Sequence, residues 1–195
     1  MKRQRKIVFW SLFILLIGAF ILFFQYSFVG CFWWNCVPTR SFSILDLDLP
    51  DNLLPVESDI NHLSYDRDDI TTIADASTTN YWDGGQAIYI VQQYVSINKA
   101  SKYFSLDSKY SFAKPIEKSN TLSEILQKQS EFADESVIIC GYTYYDELRC
   151  VYIARYQEYK IFFSSTMDDD HFTEENFLKV INFLDNRFFD LFQSE

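Results

Sequence analysis

Histidine, glycine and catalytic motifs are scarce in this chain. It has two histidines, His62 and His171, and five glycines among 195 residues. It contains no nucleophile-elbow, metalloprotease or phosphate-loop motif, and Gly84-Gly85 after Asp83 is typical of a turn, not of a phosphate cradle. The sequence therefore favours a non-catalytic protein and indicates no cofactor. A hydrolase that uses scattered carboxylates is the weaker alternative.

Acidic residues are absent from the first 29 positions, and basic residues are scarce after them. Four of the 17 Lys and Arg residues and none of the 27 Asp and Glu residues lie in that segment, so the remainder carries 13 cations against 27 acids, a net charge of −14. Such a surface repels phosphates, which excludes nucleic acid as a partner. Solubility alone is enough to account for the acidity, although basic proteins or divalent ions are compatible with it.

A long uncharged run follows the N-terminal cations. Residues Ile7 to Phe24 are apolar or small, and with the residues up to Val29 they are long enough to cross a bilayer as a helix. The preceding basic cluster predicts that residues 1–6 are cytoplasmic and that the rest of the chain is extracytoplasmic. Trp33 and Trp34 fall where an interfacial aromatic belt would lie. We therefore predict a single-pass protein of the cell membrane, in contact with lipid through residues 7–29.

A secretory signal and a lipoprotein signal are the alternatives to a membrane-spanning anchor. A cleaved secretory signal has a shorter apolar core and a small-residue cleavage site, which this run lacks. A bacterial lipoprotein is the stronger alternative, because Phe28-Val29-Gly30-Cys31 is similar to a lipobox in which Cys31 is acylated. Phe28 departs from that pattern, because a lipobox usually has leucine at this position. An anchor and a lipoprotein both place the C-terminal part of the chain on the same side of the membrane.

The four cysteines form two pairs by position. Cys140 and Cys150 lie in two predicted strands separated by a short turn, and a hairpin centred on Tyr145 places them directly opposite each other. Opposed residues of antiparallel strands are close enough for a disulfide, and an extracytoplasmic location permits one. Two free buried cysteines are the alternative. Cys31 and Cys36 could close a short loop at the membrane edge, while the ligand spacing of a zinc site is absent.

The chain after the anchor divides into two parts. Residues 30–76 are interrupted by prolines and predict a juxtamembrane linker and irregular segment, in which Leu45 to Leu49 is either a strand or a segment that packs its leucines under the domain. Residues 77–195 predict one extracytoplasmic domain. It begins with a hairpin about Gly84 and Gly85 and continues with a helix capped by Ser96. Three β-rich runs then predict an antiparallel meander at 136–144, 148–156 and 159–165.

A C-terminal helix completes the pattern. Apolar residues at spacings of four and three predict a helix from Thr173 to Phe192, while residues 121–129 fit either a short helix or a strand. The order β-β-α-β-β-β-α predicts the α+β class, an antiparallel twisted sheet with helices mainly on one face. Phe189 and Phe192 lie beside the apolar stripe and predict an interaction surface for a protein partner if that helix is not fully covered.

Two acidic runs suggest metal binding, but a structural role accounts for each. Asp168, Asp169 and Asp170 precede His171 and the last helix, where acids complement the positive helix end and Asp170 can act as its N-cap. Adjacent residues cannot all point at one ion, and the spacing of a calcium loop is absent. The run at 66–69 predicts a solvated loop. We therefore predict no metal ligands.

Several short motifs resemble those of uncharacterised bacterial membrane-anchored proteins, and the resemblance covers about residues 75–188. The motifs are Ala74-Asp75, Tyr81-Trp82, Ala133-Asp134, Cys140-Gly141, Arg149-Cys150, Ala154-Arg155-Tyr156 and Tyr159. The resemblance implies an extracytoplasmic domain on an N-terminal anchor and carries no catalytic or binding residues. We therefore predict an acidic domain at the cell envelope that binds a protein partner. A ligand-sensing accessory subunit of an envelope complex is the alternative.

Overall fold

The computed structural model describes residues 2–29, 31–32, 36–65, 72–115 and 130–194. The predictions on Gly30, Trp33, Trp34, 66–69 and 121–129 lie outside these residues. The elements, numbered along the chain, are α1 (Lys2–Val29), two 3-10 turns (Ile44–Leu47 and Asp51–Leu53), β1 (Ser64–Tyr65), β2 (Thr72–Trp82), β3 (Gly85–Tyr94), α2 (Ile97–Asp107), β4 (Lys114–Pro115), β5 (Glu135–Tyr142), β6 (Leu148–Tyr156), β7 (Tyr159–Thr166) and α3 (Glu174–Gln193).

After the cations at its start, helix α1 is apolar around its whole circumference. Its segment from Phe9 to Tyr26 has a mean hydropathy of 2.1, and none of that segment is buried against the rest of the protein. Because the segment meets the length that a bilayer requires, the predicted anchor is a helix long and apolar enough to span a membrane.

The strands form one antiparallel sheet in the order β1-β2-β3-β7-β6-β5-β4. It consists of two meanders, β1 to β3 and β4 to β7, joined where β3 pairs with β7 from Ala87 opposite Ser165 to Gln93 opposite Tyr159. The predicted α+β class with an antiparallel sheet is confirmed, and the structure adds two short edge strands, β1 and β4, to the predicted order. Such short strands protect the sheet edges from further pairing.

Helix α3 covers one face of the sheet, here called the α3 face. Phe177, Ile181, Leu184 and Phe188 are fully buried, as their spacing predicted. Phe188 stacks on Tyr156 with 4.1 Å between ring centroids, and Phe177 packs against Phe163 at 5.5 Å. The contacts reach both β6 and β7, so the helix holds these strands together from one side.

The segment before β1 extends the same core. Leu47, Leu49, Leu54 and Leu63 are buried in the cluster that contains α3, and the hydroxyl of Tyr89 donates to the carbonyl of Leu47 at 3.0 Å. The second of the two predicted alternatives, leucines packed under the domain, is therefore correct. The sheet also begins before residue 77, because β2 starts at Thr72.

Helix α2 lies on the opposite face of the sheet, here called the α2 face, so the two helices are not packed mainly on one face as predicted. Ser96 caps it by accepting from the amide of Lys99, as predicted, and Phe104 packs with Val151 and Ile153. Gly141 lies beside this cluster, where a Cβ atom would be 2.5 Å from Cβ of Phe112. Glycine is therefore required at this position by the close approach of Phe112.

The two cysteine pairs are bonded. Cys140 and Cys150 are directly opposed in β5 and β6, with 4.1 Å between their Cα atoms, and Cys31 bonds to Cys36 with 5.2 Å between theirs. The predicted hairpin register is therefore the one in the structure. The bond from β5 to β6 crosslinks two strands of the second meander inside the α3-face core.

Replacing this crosslink tests its contribution. The double variant Cys140→Ala with Cys150→Ala should lower the thermal unfolding midpoint of the full chain by about 5–10 °C, because the bond closes a short loop worth about 2–3 kcal/mol. Differential scanning fluorimetry of the detergent-solubilised protein measures this shift. The control, Cys31→Ala with Cys36→Ala, lies outside the sheet and should change the midpoint less. Free thiols at Cys140 and Cys150 in non-reducing peptide mass spectrometry would contradict the crosslink.

Candidate ligand-binding cleft

A cleft of about 550 Å³ opens on the α2 face between α2 and the strands β3 and β7. Its lining residues come from three parts of the chain: Ile90, Gln92 and Tyr94 on β3, Lys160 and Phe162 on β7, and Tyr103, Leu106, Asp107, Lys109 and Tyr110 on and after α2. The volume is in the range of small-molecule sites. The cleft exists because α2 covers only part of this face.

Aromatic rings form the walls of the cleft. Tyr103 of α2 stacks on Tyr94 of β3, with centroids 4.9 Å apart and planes 17° apart. Across the cleft, Tyr110 meets Phe162 edge to face at 6.3 Å and Phe112 at 5.0 Å. Flat apolar surfaces of this kind suit stacking with a planar group of a ligand.

Polar groups lie at defined points of the same cleft. Lys160 is buried and its ammonium group is ion-paired with Asp107 of α2. The side-chain amide of Gln92 donates to Asp75 at 2.7 Å, and its oxygen accepts from the hydroxyl of Tyr94 at 2.9 Å. These bonds fix the side-chain orientations, so the cleft is built before a ligand arrives.

A second polar cluster lies on the α3 face. The buried carboxylate of Asp185 accepts from the hydroxyls of Tyr156 and Ser130, and from the amide of Glu131 at 3.2 Å. Burial first, and then the nearby Asp185 charge, raises the pKa of Tyr152 well above its ordinary value, and burial likewise raises the pKa of Tyr156. Both hydroxyls therefore stay protonated at neutral pH and act as donors. The cluster ties residues 130–131 to α3 and has the character of a structural network.

The acidic run before α3 forms a turn. Asp168 accepts from the backbone amides of Asp170, His171 and Phe172, and α3 is capped by Thr173, not by the predicted Asp170. Thr173 is the N-cap because its hydroxyl oxygen accepts a hydrogen bond from the amide of Asn176 at 3.4 Å. Burial acts to raise the pKa of Asp168, but the backbone donors outweigh it and hold the pKa below its ordinary value. No cluster of three or more potential metal ligands occurs among the residues described.

The two phenylalanines of the predicted interaction surface have different environments. Phe192 packs inward against Phe42, and the guanidinium of Arg40 lies 4.7 Å from its ring centroid. Phe189 is 40% exposed and stacks at 4.4 Å on Phe132, which is also 40% exposed. Phe132 and Phe189 thus form a partly exposed aromatic pair, whereas Phe192 is partly buried. Phe132 is distant in sequence from α3, so helical periodicity gave no sign of it.

The disulfide between Cys31 and Cys36 bears on the predicted lipidation site. A disulfide-bonded Cys31 has no thiol to acylate, and α1 ends at Val29, two residues before it. The disulfide and acylation of Cys31 exclude each other, and the lipoprotein alternative stays a prediction.

No protein-family model matches the sequence, and comparisons with curated proteins and with solved structures find no match. The resemblance to membrane-anchored bacterial proteins therefore stays a prediction. The candidate site rests on its geometry alone.

Proposed function

We propose that this chain is a single-pass membrane protein whose acidic C-terminal domain lies outside the cytoplasm and binds a small ligand without catalysis. The ligand site is the cleft between α2 and the sheet. The observation that carries the proposal is the aromatic-walled cleft of about 550 Å³ with a buried lysine in it.

The location is supported by the anchor and by the disulfides. Large apolar side chains of α1, such as Leu15 and Phe23, are about two-thirds exposed in the protein, and lipid would remove them from water. The cations at residues 2–6 favour a cytoplasmic N-terminus. Two disulfides suit an oxidising compartment.

The ligand class follows from the chemistry of the cleft. Tyr103 and Phe162 offer ring faces, whereas Lys160 and Lys109 supply positive charge that the single carboxylate of Asp107 offsets only in part. A small molecule with a flat apolar body and a negatively charged end would satisfy both. The lining contains no histidine or cysteine and one acidic side chain, which is paired, and this supports binding without catalysis.

Labelling from outside tests the location. Val56 is fully exposed, so a Val56→Cys variant should react with a membrane-impermeant maleimide in intact spheroplasts. The matched variant Gln4→Cys, before the anchor, should react only after lysis. Mass-shifted bands on a gel report both reactions. Protection at position 56 together with labelling at position 4 would reverse the proposed orientation.

Fluorine NMR with 4-fluorobenzoate tests the cleft. The full chain in lipid nanodiscs should broaden the probe resonance in a saturable manner, and Tyr103→Ser should weaken binding about tenfold by removing a stacking surface. Phe189→Ser, on the other face of the sheet, should bind as the wild type does. Equal binding by all three proteins, or none by the wild type, would contradict a site in the cleft.

A protein partner is the second candidate function, supported by the aromatic pair of Phe132 and Phe189. Paired, partly exposed rings are typical of the buried centre of protein interfaces. This surface and the cleft lie on opposite faces of the sheet, so both functions are sterically compatible.

Photocrosslinking distinguishes this candidate. A benzoylphenylalanine at position 132 should form one adduct of discrete mass in native membranes, and Phe189→Ser should reduce its yield severalfold. The same photoreactive residue at the fully exposed position 56 is the control. Equal yields at the two positions would show that the adduct does not depend on the aromatic pair.

A further inference from the structure

The buried basic side chains of the domain differ in how their charge is balanced. Arg155 is ion-paired with Asp134 at 2.9 Å and with Glu135, and Lys160 is ion-paired with Asp107. Arg149 is buried to the same degree, with 8% of its surface exposed, yet it forms no ion pair with any acidic residue in the described part of the chain. A buried charge without a counter-charge is strongly unfavourable.

The hydrogen bonds of Arg149 leave its guanidinium incompletely satisfied. One terminal nitrogen, Nη2, donates to Oγ1 of Thr166 at 3.2 Å, and the buried Nε has no partner. A guanidinium presents its donors as a planar fork that matches the oxygens of carboxylate and phosphate groups. The unsatisfied edge of Arg149 is therefore suited to an oxyanion.

Thr166 supplies a second donor beside that edge. Its hydroxyl oxygen accepts from Arg149 and also from the amide of Gln86 at 3.3 Å, so its hydrogen is available to a further acceptor. These residues come from three neighbouring strands and meet at one end of the sheet. Arg149 is the second residue of β6, Thr166 is the last residue of β7, and Gln86 is the second residue of β3. The close approach of Phe112 to Gly141, opposite Arg149, shields the site on one side and strengthens the electrostatics there.

We propose that Arg149 and Thr166 form a binding site for an oxyanion, a carboxylate or phosphate group of a ligand, at the end of the sheet away from Lys160. The anion would accept hydrogen bonds from Nε of Arg149 and from the hydroxyl of Thr166. It would supply the negative charge that the described acidic residues do not. This site is separate from the cleft and does not depend on a ligand there.

Anion titrations of the full chain in detergent test the site. At constant ionic strength, inorganic phosphate or acetate should raise the thermal midpoint of the wild type in a saturable way. Acetate and phosphate as separate series distinguish a carboxylate from a phosphate ligand. Arg149→Met should weaken the response at least about tenfold, whereas Lys179→Met, which removes an exposed lysine of α3 outside both sites, should retain it.

Stability without added anion provides the second measurement. In dilute Tris-chloride, Arg149→Met should unfold at the same or a higher temperature than the wild type, because it removes an unbalanced charge. Arg155→Met should unfold at a lower temperature, because it leaves Asp134 and Glu135 unpaired. If Arg149→Met lowers the unfolding temperature as much as Arg155→Met does, Arg149 has a counter-charge within the chain and the proposal is wrong.

The Nε–H resonance of Arg149 provides a readout that needs no variant to fold. In the wild type it should shift progressively with phosphate or acetate and stop at saturation, while that of Arg155 stays unchanged. No shift for either anion, or equal shifts for both arginines, would overturn the oxyanion site.

Discussion

The pairing of β3 with β7 is the constraint on which the rest of the domain depends. Seven antiparallel residue pairs join two meanders that are otherwise complete on their own side of the sheet. The α3-face core includes both strands, through Tyr89 and Val91 of β3 and Ile161 and Phe163 of β7. Without that pairing neither α3 nor the leucine-rich segment before β1 would have a continuous surface to cover.

The sequence predicted the elements because their signals are local. The periodicity of Phe177 to Phe188 locates the inner stripe of α3, and the spacing of Cys140 and Cys150 locates their hairpin register. The β3 and β7 pairing joins residues more than 60 positions apart, so it leaves no repeat or turn signal nearby. The predicted N-cap of α3, Asp170, is wrong although its signal is local, because several polar residues within one turn could each act as the cap.

Neither candidate site could be predicted from sequence, because each depends on which charges meet. Lys160 finds Asp107 on a helix that lies across its strand, whereas Arg149 lies opposite Thr166 and Gly141, which carry no charge. In the amino-acid composition, Lys160 and Arg149 each count as one positive charge. Only the three-dimensional pairing reveals that one is neutralised within the chain and the other is not, and that difference separates a structural ion pair from a candidate binding group.

The segment that follows α1 contacts the domain near one candidate site and far from the other. Arg40 forms a bidentate ion pair with the fully buried Glu158 at 2.6 and 2.8 Å, and the amide of Val37 donates to the carbonyl of Val95. Both contacts lie at the end of the sheet that holds Tyr94 and Lys160. Val37 and Arg40 therefore contact the sheet beside the cleft, while Arg149 lies at the opposite end. The cleft therefore lies beside the segment that follows α1, whereas Arg149 lies at the end of the sheet away from that segment.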